Sequence, residues 1–301
     1  MKQTNIKQTL VALATIIFFS ASITSCKKDD NNGVGTTTVT TNASVKLDSI
    51  NLAFGSDAAQ KMDLYLPANR TDTGTKILVM IHGGAWSAGD KSDFTSNIAA
   101  LQGGLANYAV ANINYRLAVP PSTNLWPTQQ TDVNAAIDFI IANANYYHYN
   151  ANKIVLLGAS AGAHLAMLKA YRYNTNKNIK AVVNYFGPTD MSDLYYFQTG
   201  INKQLFEIFM AGTPTTNATA YSNASPINFI TAAAPPTIIF HGTADDVVPI
   251  RQSSSLRVAL QTAGVINQYV PYSGEGHGVF SSTNTYDAAI KSLVFITANN
   301  P

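Results

Sequence analysis

The feature that most constrains this chain is the pentapeptide Gly-Ala-Ser-Ala-Gly at residues 158–162, because it joins two segments of opposite character. Residues 154–157 before it are Ile-Val-Leu-Leu, a run typical of a buried strand in a parallel sheet. The residues after it are good helix formers, with no helix breaker before Tyr171. A chain that turns from strand to helix at one residue strains that residue and leaves room only for small neighbours. The pattern predicts an elbow that exposes the Ser160 hydroxyl at the start of a helix, the alternative being a chance match in an ordinary turn.

A second candidate element is the segment His-Gly-Gly-Ala-Trp at residues 82–86, which follows the fully apolar run 77–81. Such a run predicts a central strand, and the two glycines after it carry no side chain that restricts φ. The N–H groups of Gly83 and Gly84 can therefore turn inward. Together with the N–H of Ala161, they would surround an oxygen atom that becomes negative during acyl transfer.

The loop ends at Trp86, which we predict to form a wall of the substrate pocket, with ordinary core packing as the alternative. His82 is predicted to hold the shape of the loop by hydrogen bonding. The remaining histidines outside the catalytic candidates, His148, His164 and His241, do not lie at metal-ligand spacing and are predicted to be structural. The sequence therefore predicts no metal ion and no cofactor.

A serine hydroxyl becomes a good nucleophile only when a base removes its proton, and the base needs a carboxylate to orient it. Residues 241–249 place two aspartates after the apolar run 237–240, where loop residues face the crevice at the end of a sheet. We choose Asp245 as the acid and expect Asp246 to be solvated or to cap the following helix. His277 lies between two glycines after the last predicted strand, and it is predicted to be the base. The alternative is a surface histidine in a flexible loop.

Alternating strand-like and helix-like segments predict the fold. Alternating apolar residues at 45–54 and 62–67 indicate two antiparallel opening strands, and further apolar runs are separated by segments of helical spacing. This order is typical of an α/β fold with a mostly parallel central sheet and helices on both faces. Residues 191–230 are rich in Tyr and Phe and contain two prolines, and such a long insertion predicts a small cap.

The composition agrees with a large apolar core. Hydrophobic residues make up 46% of the 301 residues, which excludes general disorder. The net charge is +2 and no basic stripe is present, whereas a nucleic-acid partner needs clustered Lys and Arg. The single cysteine, Cys26, excludes an internal disulfide and a cysteine-based metal site.

The start of the chain has the features of a secretory signal peptide. Lys2 and Lys7 precede the apolar run 10–19, and small residues then lead to Cys26. The apolar run is shorter than the roughly 20 residues that span a bilayer. Residues 23–26, Ile-Thr-Ser-Cys, resemble the lipobox of bacterial lipoproteins. The alternative is an ordinary signal peptide with an incidental cysteine.

The lipoprotein resemblance implies that residues 1–25 are removed and that Cys26 is lipidated. The protein would then be exported and attached to the bacterial cell envelope, at the outer membrane or facing the periplasm. Residues 26–43 are polar and threonine-rich, which predicts a flexible tether. The catalytic domain is predicted to span residues 44–301.

The chain resembles a known family over nearly everything from about residue 44 onward. The likeness rests on three motifs: residues 82–86, residues 158–162, and residues 241–249 with His277. Together they resemble the α/β-hydrolase superfamily. Within it, the chain is similar to the hormone-sensitive-lipase-like and feruloyl/acetyl esterase branches, with arylformamidases as near relatives. Ala85 stands where many relatives have a third glycine, so the resemblance does not decide between Gly83 and Gly84 as the main oxyanion donor.

The resemblance implies a serine carboxylic-ester hydrolase that acts on small or short-acyl esters through an acyl-enzyme. Its substrates would be small-molecule or oligosaccharide esters, with acetyl or feruloyl groups on plant polysaccharide as one class. An arylformamidase or another amidase or peptidase of the same fold is the alternative enzyme. A non-catalytic surface protein that binds glycans is the alternative from another class. The sequence leaves the acyl chain length, the leaving group and the oligomeric state open.

Overall fold

The computed structural model describes residues 40–278 and 280–301. The predicted signal peptide (residues 1–25), the predicted lipidation site at Cys26 and the tether as far as residue 39 lie outside the described residues. In the two described ranges, none of the helices combines the length and apolar content that crossing a membrane requires.

The described residues form an eight-stranded sheet in the order β1-β2-β4-β3-β5-β6-β7-β8. The strands β1 and β2 pair with each other in antiparallel fashion, β2 also pairs antiparallel with β4, and all later pairs are parallel. This sheet confirms the predicted α/β fold with its two antiparallel opening strands. The strands are β1 Leu47–Ala53, β2 Lys61–Leu66, β3 Lys76–Ile81, β4 Tyr108–Ile113, β5 Ile154–Ala159, β6 Ile179–Tyr185, β7 Thr237–Gly242 and β8 Asn267–Tyr272.

Helices cover both faces of the sheet because side chains along each buried strand alternate between two apolar layers. Val79 of β3 belongs to the layer that includes Ile137 and Leu256, whereas its neighbour Leu78 belongs to the layer that includes Ile98 and Phe295. The α-helices in the described residues are α1 Ile98–Gly104, α2 Thr128–Ala142, α3 Ala144–Tyr147, α4 Ala161–Arg172, α5 Met191–Phe197, α6 Gly200–Phe209, α7 Ala218–Ala224, α8 Arg251–Thr262 and α9 Ser282–Asn299.

The segment predicted as a cap, residues 191–230, consists of α5, α6, α7 and the 3-10 helix Pro226–Phe229. Its aromatic residues pack on one another: the rings of Phe206 and Phe209 are stacked, and Tyr221 meets Phe206 edge to face. These aromatic residues belong to the same apolar layer as Val79 and Trp86, so they attach the segment to one face of the sheet. Its role as a cap stays a prediction.

The compact unit that contains the sheet begins at Thr40, four residues before the predicted domain start at residue 44. The reason is Arg70, a buried arginine whose guanidinium donates to the Thr41 hydroxyl and to the carbonyl groups of Asn42, Val45 and Tyr147. The N–H groups of a buried guanidinium need hydrogen-bond acceptors, and this hydroxyl and these carbonyl oxygens provide them without an acidic partner. The last residues of the predicted tether are thereby held against the domain.

The strands that carry the three motifs end at one edge of the sheet. Ile81 at the end of β3 pairs with Gly158 of β5, Gly158 pairs with Asn184 of β6, and Tyr185 pairs with Phe240 of β7. Because these strands are parallel, the loops after β3, β5, β7 and β8 leave the sheet on the same side. Residues that are far apart in the sequence can therefore meet at this edge, where ligands bind in open α/β sheets.

The start of α4 lies very close to the end of β3. A Cβ atom added to Gly162 would lie 2.0 Å from the carbonyl oxygen of Ile81 and 2.3 Å from that of His82. A Cβ atom added to Gly158 would lie 2.4 Å from the carbonyl carbon and oxygen of Gly162. Both glycines are thus required for the strand and the helix to pack at this distance, as the pentapeptide predicted.

We expect Gly162→Ala to lower the free energy of unfolding by more than about 3 kcal/mol, because the added methyl group overlaps backbone atoms that cannot move independently. Gly103→Ala is the matched control, since Gly103 is an exposed glycine of α1 with nothing within 4 Å of an added Cβ. Gly103→Ala should be neutral or stabilising by about 0.5–1 kcal/mol. Urea unfolding of the two variants measures the difference, and equal stabilities would contradict the close approach.

Candidate active site

Ser160 lies at the turn between β5 and α4, with φ 51° and ψ −119°. Residues with a side chain rarely adopt a positive φ, so the predicted strain is present at this position. Its N–H donates to the Tyr185 carbonyl oxygen at 2.9 Å, and its own carbonyl oxygen accepts from the His164 N–H at 3.0 Å. These bonds hold the residue between β6 and the first turn of α4. The hydroxyl consequently lies at the positive end of the helix dipole.

The structure brings together the side chains of Ser160, His277 and Asp245. His277 Nε2 lies 2.9 Å from Ser160 Oγ, and His277 Nδ1 lies 2.7 Å from Asp245 Oδ2. An ionised carboxylate only accepts, so Nδ1 carries the hydrogen and Nε2 of the neutral ring is free to accept the Ser160 proton. Ser160 and His277 are both half-buried, so neither residue is closed off completely from solvent.

Asp245 has a fully buried carboxylate that is surrounded by hydrogen-bond donors. Its Oδ1 accepts from the N–H groups of Val247 and Val248, at 2.9 and 2.8 Å. Burial raises the pKa of the Asp245 carboxyl, but the hydrogen bonds from His241, His277 and Val248 outweigh it and hold the pKa well below its usual range. The carboxylate is therefore ionised at neutral pH, whereas Asp246, the alternative acid, is exposed to solvent.

The loops that carry Asp245 and His277 are fixed to each other. The Ala244 N–H donates to the Glu275 carbonyl oxygen at 2.9 Å, and a Cβ atom added to Gly242 would lie 2.2 Å from that oxygen. The Glu275 carboxylate accepts from the Ser281 N–H at 3.0 Å, just before α9 begins. Sequence reasoning did not find this role of Glu275, because no local pattern indicates a loop-to-loop contact.

The loop after β3 approaches the elbow closely. A Cβ atom added to Gly83 would lie 3.4 Å from Ser160 Cβ and 3.0 Å from the Ala159 carbonyl oxygen. Gly84 has φ 103°, in the region that favours glycine. The two glycines therefore let the loop turn next to the serine, as the sequence analysis expected.

The three predicted oxyanion donors are the N–H groups of Gly83, Gly84 and Ala161. Within the part of the chain that the structure describes, none of these N–H groups has a hydrogen-bond acceptor. Backbone N–H groups without a partner in a partly enclosed site are available to a substrate oxygen. Their role as an oxyanion hole stays a prediction.

His82 holds the shape of this loop, in line with its predicted structural role. The ring is fully buried, stacks on Tyr115 with centroids 4.3 Å apart, and donates from Nδ1 to the Gly83 carbonyl oxygen at 2.8 Å. The Tyr115 hydroxyl also donates to the Gly83 carbonyl oxygen, at 3.1 Å. The two donors fix the peptide that precedes Gly84.

Trp86 packs between α4 and the 191–230 segment. Its ring stacks on Phe209 with centroids 5.1 Å apart, and its indole N–H donates to His164 Nδ1 at 3.2 Å. His164 in turn donates from Nε2 to the carbonyl oxygen of Ala224 in α7, at 2.7 Å. Because only 5% of Trp86 is exposed, core packing accounts for its surroundings, and its contact with a substrate stays a prediction.

Phe186 is a site residue that sequence reasoning missed. It follows β6 with φ 44°, and its ring meets the His277 ring edge to face with centroids 4.8 Å apart. An aromatic residue after a strand is common, so the sequence contained no signal for this contact. The ring limits the positions that the His277 imidazole can adopt.

In residues 40–278 and 280–301, no group of three or more His, Cys, Asp and Glu side chains is arranged to hold a metal ion. His148 has structural contacts instead: its Nδ1 lies 2.9 Å from Asp72 Oδ1, and its Nε2 lies 3.1 Å from the Thr41 carbonyl oxygen. It thus contributes to holding the start of the compact unit.

The fold and the site together define an α/β hydrolase with a serine, histidine and aspartate at the carboxyl edge of its sheet. The chain belongs to the BD-FAE family, whose model matches residues 62–260, more than half of the 301 residues. This membership confirms the predicted superfamily.

Two curated relatives carry esterase names. The chain is 28% identical over 253 residues to the probable carboxylic ester hydrolase LipM of Mycobacterium tuberculosis, covering 79% of this chain and 58% of LipM. It is 27% identical over 247 residues to the isoprenylcysteine alpha-carbonyl methylesterase ICME of Arabidopsis thaliana, covering 75% of this chain and 55% of ICME. The chain thus spans little more than half the length of these relatives.

Solved structures of similar fold include carbohydrate esterases. A truncated carbohydrate esterase from gut microbiota superimposes with a TM-score of 0.71 at 25% identity, over 87% of this chain and 99% of that one. A bifunctional GH43-CE protein of Bacteroides eggerthii gives a TM-score of 0.71 at 28% identity, over 84% of this chain and 38% of that one.

We expect acid to destabilise the protein through His164. Burial lowers the pKa of His164 to about 4, with the bond to the Ala224 carbonyl opposing the shift. Between pH 6.5 and 4 the unfolded chain binds a proton that the folded protein does not, so stability falls as pH falls. From pH 7 to pH 4, wild type should lose about 3 kcal/mol more than His164→Gln, whose amide can replace both hydrogen bonds.

Urea unfolding of wild type and His164→Gln at pH 7 and pH 4 measures this difference. Other groups that titrate in this range act on both proteins and cancel in the comparison. Equal losses of stability in the two proteins would show that His164 is protonated in the folded state.

Proposed function

We propose that this protein is a serine carboxylic-ester hydrolase with Ser160 as nucleophile, His277 as general base and Asp245 as the acid that orients the base. The observation that carries the proposal is a pair of hydrogen bonds: His277 Nδ1 donates to Asp245 Oδ2 (2.7 Å), and His277 Nε2 accepts from the Ser160 hydroxyl (2.9 Å). The three residues follow the chain order serine, aspartate, histidine, which is the order of α/β hydrolases.

In the first half-reaction, Ser160 Oγ attacks the ester carbonyl carbon while His277 Nε2 takes the hydroxyl proton. The ionised Asp245 keeps Nδ1 protonated and stabilises the imidazolium that forms. His277 then returns the proton to the leaving alcohol, and the acyl group remains on Ser160. In the second half-reaction a water molecule gives a proton to His277 and attacks the acyl carbonyl carbon. The bond between the acyl carbon and Ser160 Oγ then breaks, His277 returns the proton to Ser160 Oγ, and the acid is released.

The carbonyl oxygen becomes negative in both tetrahedral intermediates. We assign its stabilisation to the N–H groups of Gly83, Gly84 and Ala161, which flank the serine and are without intramolecular acceptors in the described residues. Loss of one such donor costs about 10²–10³ in kcat in comparable sites. The His82 and Tyr115 bonds to the Gly83 carbonyl favour a preorganised hole, since they fix the peptide in advance.

For the substrate we propose small or short-acyl esters, with acetyl or feruloyl groups on plant polysaccharide as one class. The names of the carbohydrate esterase and the GH43-CE protein with similar folds support this class. The accessibility of Ser160 and His277 agrees with a bulky alcohol part, because an ester on a large molecule must reach the serine from outside. The helical segment 191–230 is proposed as a small cap that borders the site.

We also propose that Cys26 is lipidated and attaches the protein to the bacterial cell envelope. The support is the sequence alone: a charged start, a short apolar run and a lipobox-like end. In a bacterial host, the wild type should incorporate labelled palmitate and Cys26→Ser should not, whereas Ser25→Ala keeps a small residue before the cysteine and should remain labelled. Unlabelled wild type would contradict the proposal.

Ser160→Ala should reduce kcat/KM on a short-chain aryl ester by at least about 10⁴-fold, because no other group can form the acyl-enzyme. On a panel of acetylated and feruloylated oligosaccharides, long-acyl esters and N-formyl aromatic amides, the wild type should prefer the oligosaccharide esters. Steady-state kinetics on the purified domain measure both results.

Ser255→Ala is the matched control, since Ser255 is an exposed serine of α8, and it should retain wild-type rates. Wild-type turnover by Ser160→Ala would disprove the assignment of the nucleophile. A preference for the formyl amides would instead favour the arylformamidase alternative.

A further inference from the structure

A second histidine, His241, lies behind the carboxylate of the proposed triad. It is fully buried at the end of β7. Its Nε2 lies 3.1 Å from Asp245 Oδ2 and 2.8 Å from the Val248 carbonyl oxygen, and its Nδ1 lies 2.6 Å from Ser253 Oγ. The mechanism above does not use His241, although it contacts the same carboxylate oxygen as His277.

The partners of His241 determine where its hydrogen lies. The Val248 carbonyl and the Asp245 carboxylate can only accept, so Nε2 must carry a hydrogen. In a neutral imidazole, Nδ1 then accepts, and the Ser253 hydroxyl is positioned to donate to it. Among the described residues, Ser253 Oγ has no other hydrogen-bond partner. In the neutral Nε2–H form, the single Nε2 hydrogen lies between the Val248 carbonyl oxygen and Asp245 Oδ2, and the Ser253 hydroxyl donates to Nδ1.

A neutral donor has a specific advantage next to Asp245. It fixes the position of Oδ2 without supplying a positive charge, so the carboxylate keeps its full attraction for the imidazolium that forms on His277. A positively charged group at the same place would compete with His277 for that charge. With the two N–H bonds on Oδ1, the His241 bond leaves the carboxylate little freedom to rotate.

We propose that His241 is a positioning residue that orients Asp245, and that the Ser253 hydroxyl selects the Nε2–H form of its ring. The inference rests on the proposed function, because it extends the chain of hydrogen bonds behind Ser160, His277 and Asp245 by two residues. It assigns to α8 a part in the active site, since Ser253 lies in the first turn of that helix.

The test compares three variants with wild type on one aryl ester. His241→Phe removes the N–H but keeps a ring of similar size, whereas His241→Gln offers an amide N–H where Nε2 stood. Ser253→Ala removes only the hydroxyl and is the milder change. Leu256 is fully buried one turn further along α8 and makes no hydrogen bond to Asp245, so Leu256→Ala is the control for loss of stability alone.

We expect His241→Phe to lower kcat roughly 10- to 100-fold with KM within about twofold, by analogy with the loss seen when a hydrogen-bond partner of a metal-ligating side chain is removed. His241→Gln should recover most of the loss, and Ser253→Ala should fall between wild type and His241→Phe. Leu256→Ala should lower the unfolding midpoint but keep kcat. In proton NMR spectra, the signal of the His277 Nδ1 hydrogen should shift in His241→Phe and stay in Leu256→Ala.

A folded His241→Phe with wild-type kcat and an unchanged His277 signal would overturn the inference, and so would no recovery in His241→Gln. If His241→Phe does not fold, Ser253→Ala is the deciding variant. A wild-type kcat in Ser253→Ala would then overturn the proposed roles of Ser253 and His241. Ser160→Ala measured in the same assay distinguishes failure of the proposed function from failure of the role proposed for His241. An active Ser160→Ala refutes the proposed function itself, whereas an inactive one beside a normal His241→Phe refutes only the role of His241.

Discussion

The arrangement of the site depends on the contact between the start of α4 and the end of β3. Gly162 lies against the carbonyl oxygens of Ile81 and His82 so closely that no side chain fits between them. This contact forces the strand-to-helix turn into a single residue, and Ser160 consequently takes φ 51°. The same contact places the loop after β3 beside the serine. Strain at Ser160 and proximity of the candidate oxyanion donors are thus two consequences of one packing constraint.

The second requirement is a stable negative charge in a buried place. Burial of an ionised carboxylate costs free energy unless its oxygens are hydrogen-bonded. The Asp245 carboxylate is surrounded by N–H groups of Val247, Val248, His241 and His277. These donors come from the end of β7, from the loop after it and from the loop after β8, so the charge also fixes the two loops relative to each other. The bond from Ala244 to Glu275 reinforces that connection. Charge, loop position and the orientation of the base are therefore coupled.

The sequence was sufficient to predict features that local pattern determines. Apolar runs predicted the strands, and the small residues around Ser160 predicted the elbow. Features set by tertiary contacts could not be predicted in the same way. Trp86 is buried because Phe209 and His164 fold against it, and Arg70 orders residues before 44 through bonds that no periodicity indicates. The contact of Phe186 with His277 depends on loops that follow strands distant in sequence, whereas the contact of His241 with Asp245 depends on how the short loop after β7 turns back.

The central claim is that Ser160 is the activated nucleophile of this arrangement. The most direct measurement is peptide mapping by mass spectrometry after reaction of the folded protein with a fluorophosphonate. We expect one equivalent of phosphonate on the peptide that contains residues 158–162, and no labelling of unfolded protein. Modification at another serine, or no modification of protein shown to be folded, would contradict it.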